Sequence, residues 1–173
     1  ITKESPMWVI LMGIEHERIH LETSLVLHRQ MPIELVKDVE EFKVCEHSNH
    51  APENEMIDIN TADIQLGVNN SHPIYSWDNE YGIYEENVES FKAAKYLVSN
   101  GEFLSFVKDA GYETVEFWDD EGKEFLKNSK ALHPSFWIKE KNDYKYRTLS
   151  SIIDMPQDWP VDVNALEAEA FCR

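Results

Sequence analysis

Over the first thirty residues the apolar positions recur at helical spacing, opened by Glu4-Ser5-Pro6 and closed before Pro32. Ser5 suits an N-cap, and Pro6 suits the first helical position, where a missing N–H costs nothing. Pro32 disfavours helical geometry at Met31, so the helix is expected to end near Gln30. About 25 residues at ~1.5 Å each give a helix of roughly 37 Å, the length of a bundle helix rather than a crossover helix. Such a helix needs neighbours that this chain is not expected to supply.

From Ile33 to about Asn60 the pattern turns acidic and irregular, as in Lys37-Asp38-Val39-Glu40-Glu41 and His47-Ser48-Asn49-His50, and it reads as an interdomain linker with room to pack in places. Short elements separated by turn residues follow. Ile57–Val68 and Glu89–Val98 are strand-like, and Asn100 is placed to cap a helix over Gly101–Lys108 that closes near Gly111. Glu116–Leu126 predicts a second helix. Phe136-Trp137-Ile138 and Tyr144-Lys145-Tyr146 flank Asn142-Asp143 as a hairpin. Asn164, with Glu167 three residues on, predicts a capped final helix running to Arg173. Short strands and helices with many aromatics indicate an irregular α+β fold.

Composition narrows the partners. Thirty-three acidic against sixteen basic residues give a net charge of −17, a surface that repels nucleic-acid phosphates and anionic lipid alike. Nucleic acid and membrane are therefore not expected as partners, and no apolar run approaches the roughly 18 residues that span a bilayer. Two cysteines, Cys45 and Cys172, are too few for a disulfide framework and lack metal-site spacing, so a reducing cytoplasm is the expected compartment. Both ends have the look of cuts, since the chain opens on Ile1 without a Met and stops at Arg173 inside helical sequence.

The chemistry concentrates on the first helix. In Glu15-His16-Glu17-Arg18-Ile19-His20-Leu21-Glu22 the two histidines stand four apart, about 40° around the helix axis, the spacing that lets one helix offer two imidazoles to one transition metal. Val9, Met12, Gly13, Thr23 and Leu27 fall on their side, while Arg18 and Glu22 fall opposite and form an i,i+4 pair; the histidines are thus expected to face inward. Two core histidines satisfied by protein groups fit the same spacing. Glu22, about 200° from His20, cannot share a metal with both histidines. His16-Glu17-Arg18-Ile19-His20 also satisfies HExxH, the zinc-peptidase pattern in which Glu17 is the general base. That reading wants a further ligand on a downstream helix, and Glu40, Glu41, His47 and His50 lie where no helix is expected.

Two stretches resemble one family. Gly13 to Ser24, ending in His28-Arg29-Gln30-Met31-Pro32, resembles the HxxxHxE helix of the DinB-like domain in sulfoxide synthases. Tyr75-Ser76-Trp77-Asp78-Asn79-Glu80-Tyr81-Gly82, Val98 to Val107, Gly111-Tyr112, His133 to Trp137, Asp158 to Val161 and Glu167 to Arg173 resemble the formylglycine-generating-enzyme-like domain that follows it there.

The resemblance implies the last helix of a DinB-like four-helix bundle over 1–32, a linker over 33–60, and over 61–173 the N-terminal part of an irregular α+β, C-type-lectin-like domain truncated on its C-terminal side. It also implies iron(II) held by three histidines, two of them matching His16 and His20 and the third upstream of Ile1. His28, His47, His50, His72 and His133 do not match that third place. Oxygen is then the co-substrate that joins a cysteine sulfur to a histidine ring carbon and oxidises the sulfur to a sulfoxide. Arg18 to Ser24 looks closer to the ovothiol type, which acts on cysteine and histidine, than to the ergothioneine type, which acts on trimethylated histidine; many ovothiol-type enzymes also carry a methyltransferase domain. No catalytic residue, and no oligomeric state, follows from the resemblance. Trp77-Asp78-Asn79-Glu80 is read as structural, with the tryptophan buried and the polar residues tying loops. Against the synthase stand a zinc peptidase and a non-catalytic binding module.

With one metal ligand upstream and much of the second domain beyond Arg173, the 173-residue chain alone is expected to be inactive. Incubation with iron(II), oxygen, cysteine and histidine should give no sulfoxide by mass spectrometry, and measurable product would overturn the expectation.

Overall fold

The computed structural model describes residues 4–173, which form two compact units. One joins helix α1 (Trp8–Gln30) to Met56–Ala93, and the other joins Met31–Glu55 to Ala94–Arg173.

In the first unit α1 begins at Trp8 rather than at Pro6. Ser5 still serves its first turn, its hydroxyl accepting from the Met7 N–H at 3.2 Å and its carbonyl from the Trp8 N–H at 2.9 Å. The helix ends at Gln30, as Pro32 requires. Two strand pairs accompany it: β1 (Met56–Ile59) with β4 (Phe91–Ala94), and β2 (Ala62–Leu66) antiparallel to β3 (Tyr84–Val88), with Ala62 opposite Val88 and Leu66 opposite Tyr84. The predicted strand over Ile57–Val68 is thus two strands broken at Asn60-Thr61, and the Thr61 hydroxyl accepts from the Ser90 N–H at 3.0 Å. β3 escaped the hydrophobic pattern because Tyr84-Glu85-Glu86-Asn87-Val88 lies almost wholly in water. Side chains pair across the ribbon instead: Gln65 donates to Glu85 at 3.0 Å and Asn87 to Asp63 at 2.7 Å.

After β2 the backbone turns at Gly67, where φ is +96° and a Cβ would overlap the Gly82 carbonyl oxygen, so only glycine fits. Val68 then bonds to both sides of Tyr81, its N–H donating to Glu80 O at 2.8 Å and its carbonyl accepting from Gly82 N–H at 3.1 Å.

The second unit holds the core. Helix α2 (Asn100–Lys108) is capped by Ser99, not by Asn100: Ser99 Oγ accepts from the Glu102 N–H at 3.2 Å and Glu102 Oε2 accepts from the Ser99 N–H at 2.9 Å. This is a capping box one residue earlier than the composition suggested. The helix predicted over Glu116–Leu126 is a 3₁₀ turn at Val115–Phe117 followed by α3 (Asp120–Ser129), whose N-cap Asp119 accepts from the Gly122 N–H at 2.7 Å. β5 (Trp137–Glu140), β6 (Asp143–Arg147) and β7 (Ile152–Asp154) form an antiparallel sheet in chain order. The predicted hairpin forms as β5–β6, with Trp137 opposite Tyr146, but its turn is Lys141-Asn142 rather than Asn142-Asp143, since Asp143 opposes Glu140. Helix α4 (Ala165–Cys172) starts at the expected Asn164–Glu167 capping box.

Phe103, Leu104, Tyr112, Trp118, Trp137, Tyr146 and Ala170 are buried together, Phe103 stacking on Phe171 at 5.3 Å and meeting Trp137 edge-on at 6.2 Å. The stretch expected to be a linker packs into this unit. The Arg147 guanidinium donates to Met31 O at 3.0 Å, Ser150 Oγ to Asp38 at 2.8 Å, Ser48 Oγ to Asp158 at 3.2 Å, and Trp159 Nε1 to His47 O at 2.8 Å. The Asn49 backbone N–H beside Asp158 is the main influence holding that carboxyl below its usual range.

One polar pair is sealed in the core. Tyr112 donates to Glu167 Oε1 at 2.6 Å, with Glu167 only 2% exposed, and burial, followed by that bond and the carboxylate charge, holds the phenol far above its usual range. Tyr112→Phe leaves the buried Glu167 oxygen without this donor and is expected to lower stability by about 1–3 kcal/mol, measured by urea unfolding; wild-type stability would show that the bond contributes nothing net.

Candidate metal centre

A one-turn separation on α1 brings His16 and His20 together. Their Nε2 atoms lie 3.1 Å apart, and the rings meet edge-on with centroids 4.3 Å apart and planes at 90°. Two metal–imidazole bonds of about 2.1 Å at angles between 90° and 109° place their nitrogens about 3.0–3.4 Å apart. The separation therefore falls in the range that two ligands of one transition metal take, while as the rings stand the same 3.1 Å is a hydrogen bond between them. Imidazole nitrogen is a donor that iron, zinc, copper and nickel all accept.

The surroundings differ from the sequence expectation in three ways. The histidines do not face inward: α1 has no buried residue, and the His16 side chain is 58% exposed. The half-covered side of the helix carries Trp8, Leu11, Glu15 and Leu25, roughly opposite the imidazoles. Val9 and Leu27, predicted to lie beside the histidines, share their exposure at 58% and 65%. Second, Arg18 pairs with Glu15 at 2.7 Å rather than with Glu22. Third, Trp77 is half-buried, not buried.

Glu17, the residue a zinc peptidase would use as base, places Oε1 3.9 Å from His16 Nδ1, the nitrogen on the side of the ring away from His20. Thr23 Oγ1 donates to Ile19 O at 3.0 Å and to His20 O at 3.3 Å, tying the turn that follows the second imidazole.

Among the described residues no group of three or more His, Cys, Asp or Glu side chains is placed to hold a metal. His28 sits in the last turn of α1. His47 is engaged through its backbone with Trp159, and His133 donates from Nδ1 to Pro134 O at 3.0 Å and packs against Tyr144. None of these, nor His50 or His72, joins the pair.

The Trp77-Asp78-Asn79-Glu80 motif forms a 3₁₀ turn over Asp78–Glu80. Glu80 closes it, Oε2 accepting from the Trp77 N–H at 2.6 Å while its own N–H donates to Trp77 O at 2.9 Å. The contact that sequence reasoning missed is next to it: Tyr75 lies on Trp8 of α1 with centroids 4.9 Å apart and meets Trp77 edge-on at 5.4 Å. Only the run of aromatics around Ser76 hinted at it.

The chain belongs to the sulfatase-modifying factor enzyme 1-like domain family, whose profile matches residues 41–173. It is similar to the hercynine oxygenase of Mycobacterium tuberculosis, strain ATCC 25618 / H37Rv (32% identity over 108 residues, 61% of this chain and 25% of the relative). Hercynine oxygenases of Mycolicibacterium thermoresistibile (30% over 107 residues, 61% and 23%) and Mycolicibacterium smegmatis (29% over 107 residues, 61% and 24%) are similar too. The chain spans about a quarter of the length of these relatives. No helix among the described residues is long and apolar enough to cross a membrane.

Loss of an outer-sphere partner alone typically weakens metal binding about 10–100-fold, so loss of a ligand costs at least about 10-fold. His16→Ala and His20→Ala should each weaken nickel(II) binding to the chain by at least that factor in calorimetric titration, with His28→Ala unchanged; equal affinity in all three would remove the pair as a metal centre.

Proposed function

We propose that this chain is part of a non-haem iron(II), oxygen-dependent sulfoxide synthase that joins the sulfur of cysteine to the imidazole ring of histidine. One observation carries the reading: two Nε2 atoms 3.1 Å apart on a helix, in a chain whose residues 41–173 belong to the family and which resembles hercynine oxygenases. A DinB-like helical part ending near residue 32 belongs to the same reading.

His16 and His20 would hold the iron through Nε2, with the remaining ligand supplied from outside the described residues. Bound there, iron(II) would supply the redox chemistry with oxygen that thiols and imidazoles lack by themselves. The reaction balances as one thiol and one ring C–H with one O2, giving a C–S bond, one oxygen atom on sulfur and one water. This chain's part is to offer both Nε2 atoms from one turn of α1 and to hold α1 against its own unit.

A second substrate reading is supported by the relatives' name: hercynine, trimethylated histidine, as the imidazole partner in ergothioneine-type chemistry. The sequence Arg18-Ile19-His20-Leu21-Glu22-Thr23-Ser24 favours histidine. The position of Glu17 on the Nδ1 side of His16 gives a zinc peptidase no support. A cytoplasmic setting and small-molecule substrates, with neither nucleic acid nor membrane as partner, complete the proposal.

The test uses the whole protein that carries this chain, loaded anaerobically with iron(II) and then given oxygen, cysteine and either histidine or trimethylated histidine. Oxygen uptake with a cysteine–histidine sulfoxide by mass, lowered at least about 10-fold by His16→Ala or His20→Ala, is the expected result. Product from trimethylated histidine alone would move the assignment to the ergothioneine type. Tight zinc binding without oxygen uptake would overturn the synthase.

A further inference from the structure

We propose that Tyr75 is the positioning residue of the histidine pair: through Trp8 it fixes the rotation of α1 about its axis, and so the direction in which both Nε2 atoms point. The proposal rests on the metal-centre reading and extends it to a residue outside α1.

A helix fixes the spacing of two of its own side chains, but it cannot fix its own rotation. That takes contacts from outside, and α1 has few to draw on, having no buried residue. A rotation of about 20° displaces an atom roughly 6 Å from the axis by about 2 Å, enough to separate a ligand from a metal held by groups elsewhere. A misplacement of about 1 Å can already cost about 100-fold in rate.

The contacts that oppose such a rotation run in one line. Glu80 closes the turn after Trp77 from both sides, at 2.6 and 2.9 Å. The Trp77 ring meets Tyr75 edge-on, 5.4 Å between centroids and 82° between planes. Tyr75 in turn lies on Trp8 at 4.9 Å. Ser76, between the two loop aromatics, is buried, so this backbone is packed rather than splayed into water.

Trp8 stands two turns before His16, and the reach of Tyr75 extends along that interval. Its phenol is held above its usual range, by desolvation first and then by the negative charge of Asp78 and of Glu15, with Tyr81 and Glu80 adding to it. The hydroxyl therefore lies in a field shared by its own loop and by Glu15, the residue immediately before His16. Arg18 grips the same Glu15 at 2.7 Å. The ring contact on Trp8 is the hold from outside the helix, and the hydroxyl adds no bond to it.

The test uses the whole protein with cobalt(II) as probe, in wild type, Trp8→Ala, Tyr75→Ala, Tyr75→Phe and the double alanine variant. Cobalt(II) affinity, the visible ligand-field spectrum and hydrogen exchange of the α1 amides are read together. An aromatic pair of this kind corresponds to about 3- to 10-fold in an equilibrium constant. Each single alanine variant is expected to weaken cobalt(II) by that factor and to change the spectrum. The double variant should be no weaker than about twofold beyond the singles, because both remove one contact. Tyr75→Phe should keep wild-type affinity and spectrum.

Should Tyr75→Ala fail to fold, Tyr75→Leu, which keeps apolar bulk without the ring contact, is read in its place. Wild-type affinity and spectrum in the folded alanine variants, or losses that multiply in the double variant, would overturn the proposal while leaving the metal centre standing. Wild type that binds no cobalt(II) would instead overturn the metal-centre reading, and the positioning role with it.

Discussion

The second unit depends on a clasp between the start of α2 and the chain from Pro156 to Val161. Asn100 and Gly101 donate their backbone N–H groups to Trp159 O at 2.8 Å and Gln157 O at 2.9 Å, the Val161 N–H returns to Val98 O at 2.9 Å, and Asn100 Nδ2 reaches Pro156 O at 2.9 Å. Gly101 has little room for a side chain, since a Cβ there would stand 3.0 Å from Ala51 Cβ and 3.2 Å from Gln157 O. The clasp sets the distance between α2 and the chain leading into α4, and so the space that Phe103, Trp137 and Phe171 fill. Residues 47–51 are held by the same turn, through Asp158, Trp159 and Gly101.

What the sequence made legible follows from which forces are local. The end of α1 before Pro32, the β5–β6 hairpin and the Asn164–Glu167 box are dictated by residues within a few positions of one another, and each forms, the hairpin with its turn one residue earlier than the pattern placed it. Ser99 displaced Asn100 as the cap because Glu102, three residues after Ser99, completes the box, while Asn100 was drawn inward to Pro156, 56 residues away. β3 was illegible because a strand exposed on both faces has no apolar alternation to reveal it. The packing of residues 31–55 was illegible for a related reason: polar side chains and backbone carbonyls hold it, with no apolar period.

At the site, the sequence supplied the one-turn spacing of His16 and His20 and the structure supplied their convergence. The inward orientation failed because amphipathicity was judged on one face, whereas α1 carries apolar residues on two, one half-covered by Trp8 and Leu11 and one open beside the imidazoles. Arg18 chose Glu15 over Glu22 at i,i+3 spacing, a choice helix geometry leaves nearly even. Tyr75 could not be connected to α1 from the sequence, since sixty-odd residues separate it from Trp8.

The β2–β3 ribbon has a consequence of its own. With water over most of both faces and only Ile64 and Val88 half-covered, burial gives it little preference between one register and the next. The choice falls to the polar rungs, Asn87 to Asp63 and Gln65 to Glu85, so this ribbon is keyed by hydrogen bonds where the β5–β6 hairpin is keyed by a buried tryptophan. The carboxylates along it, Asp63, Glu85 and Glu86, give a second ribbon of the same sequence a like-charged edge to meet, which discourages copies of the chain from stacking strand to strand.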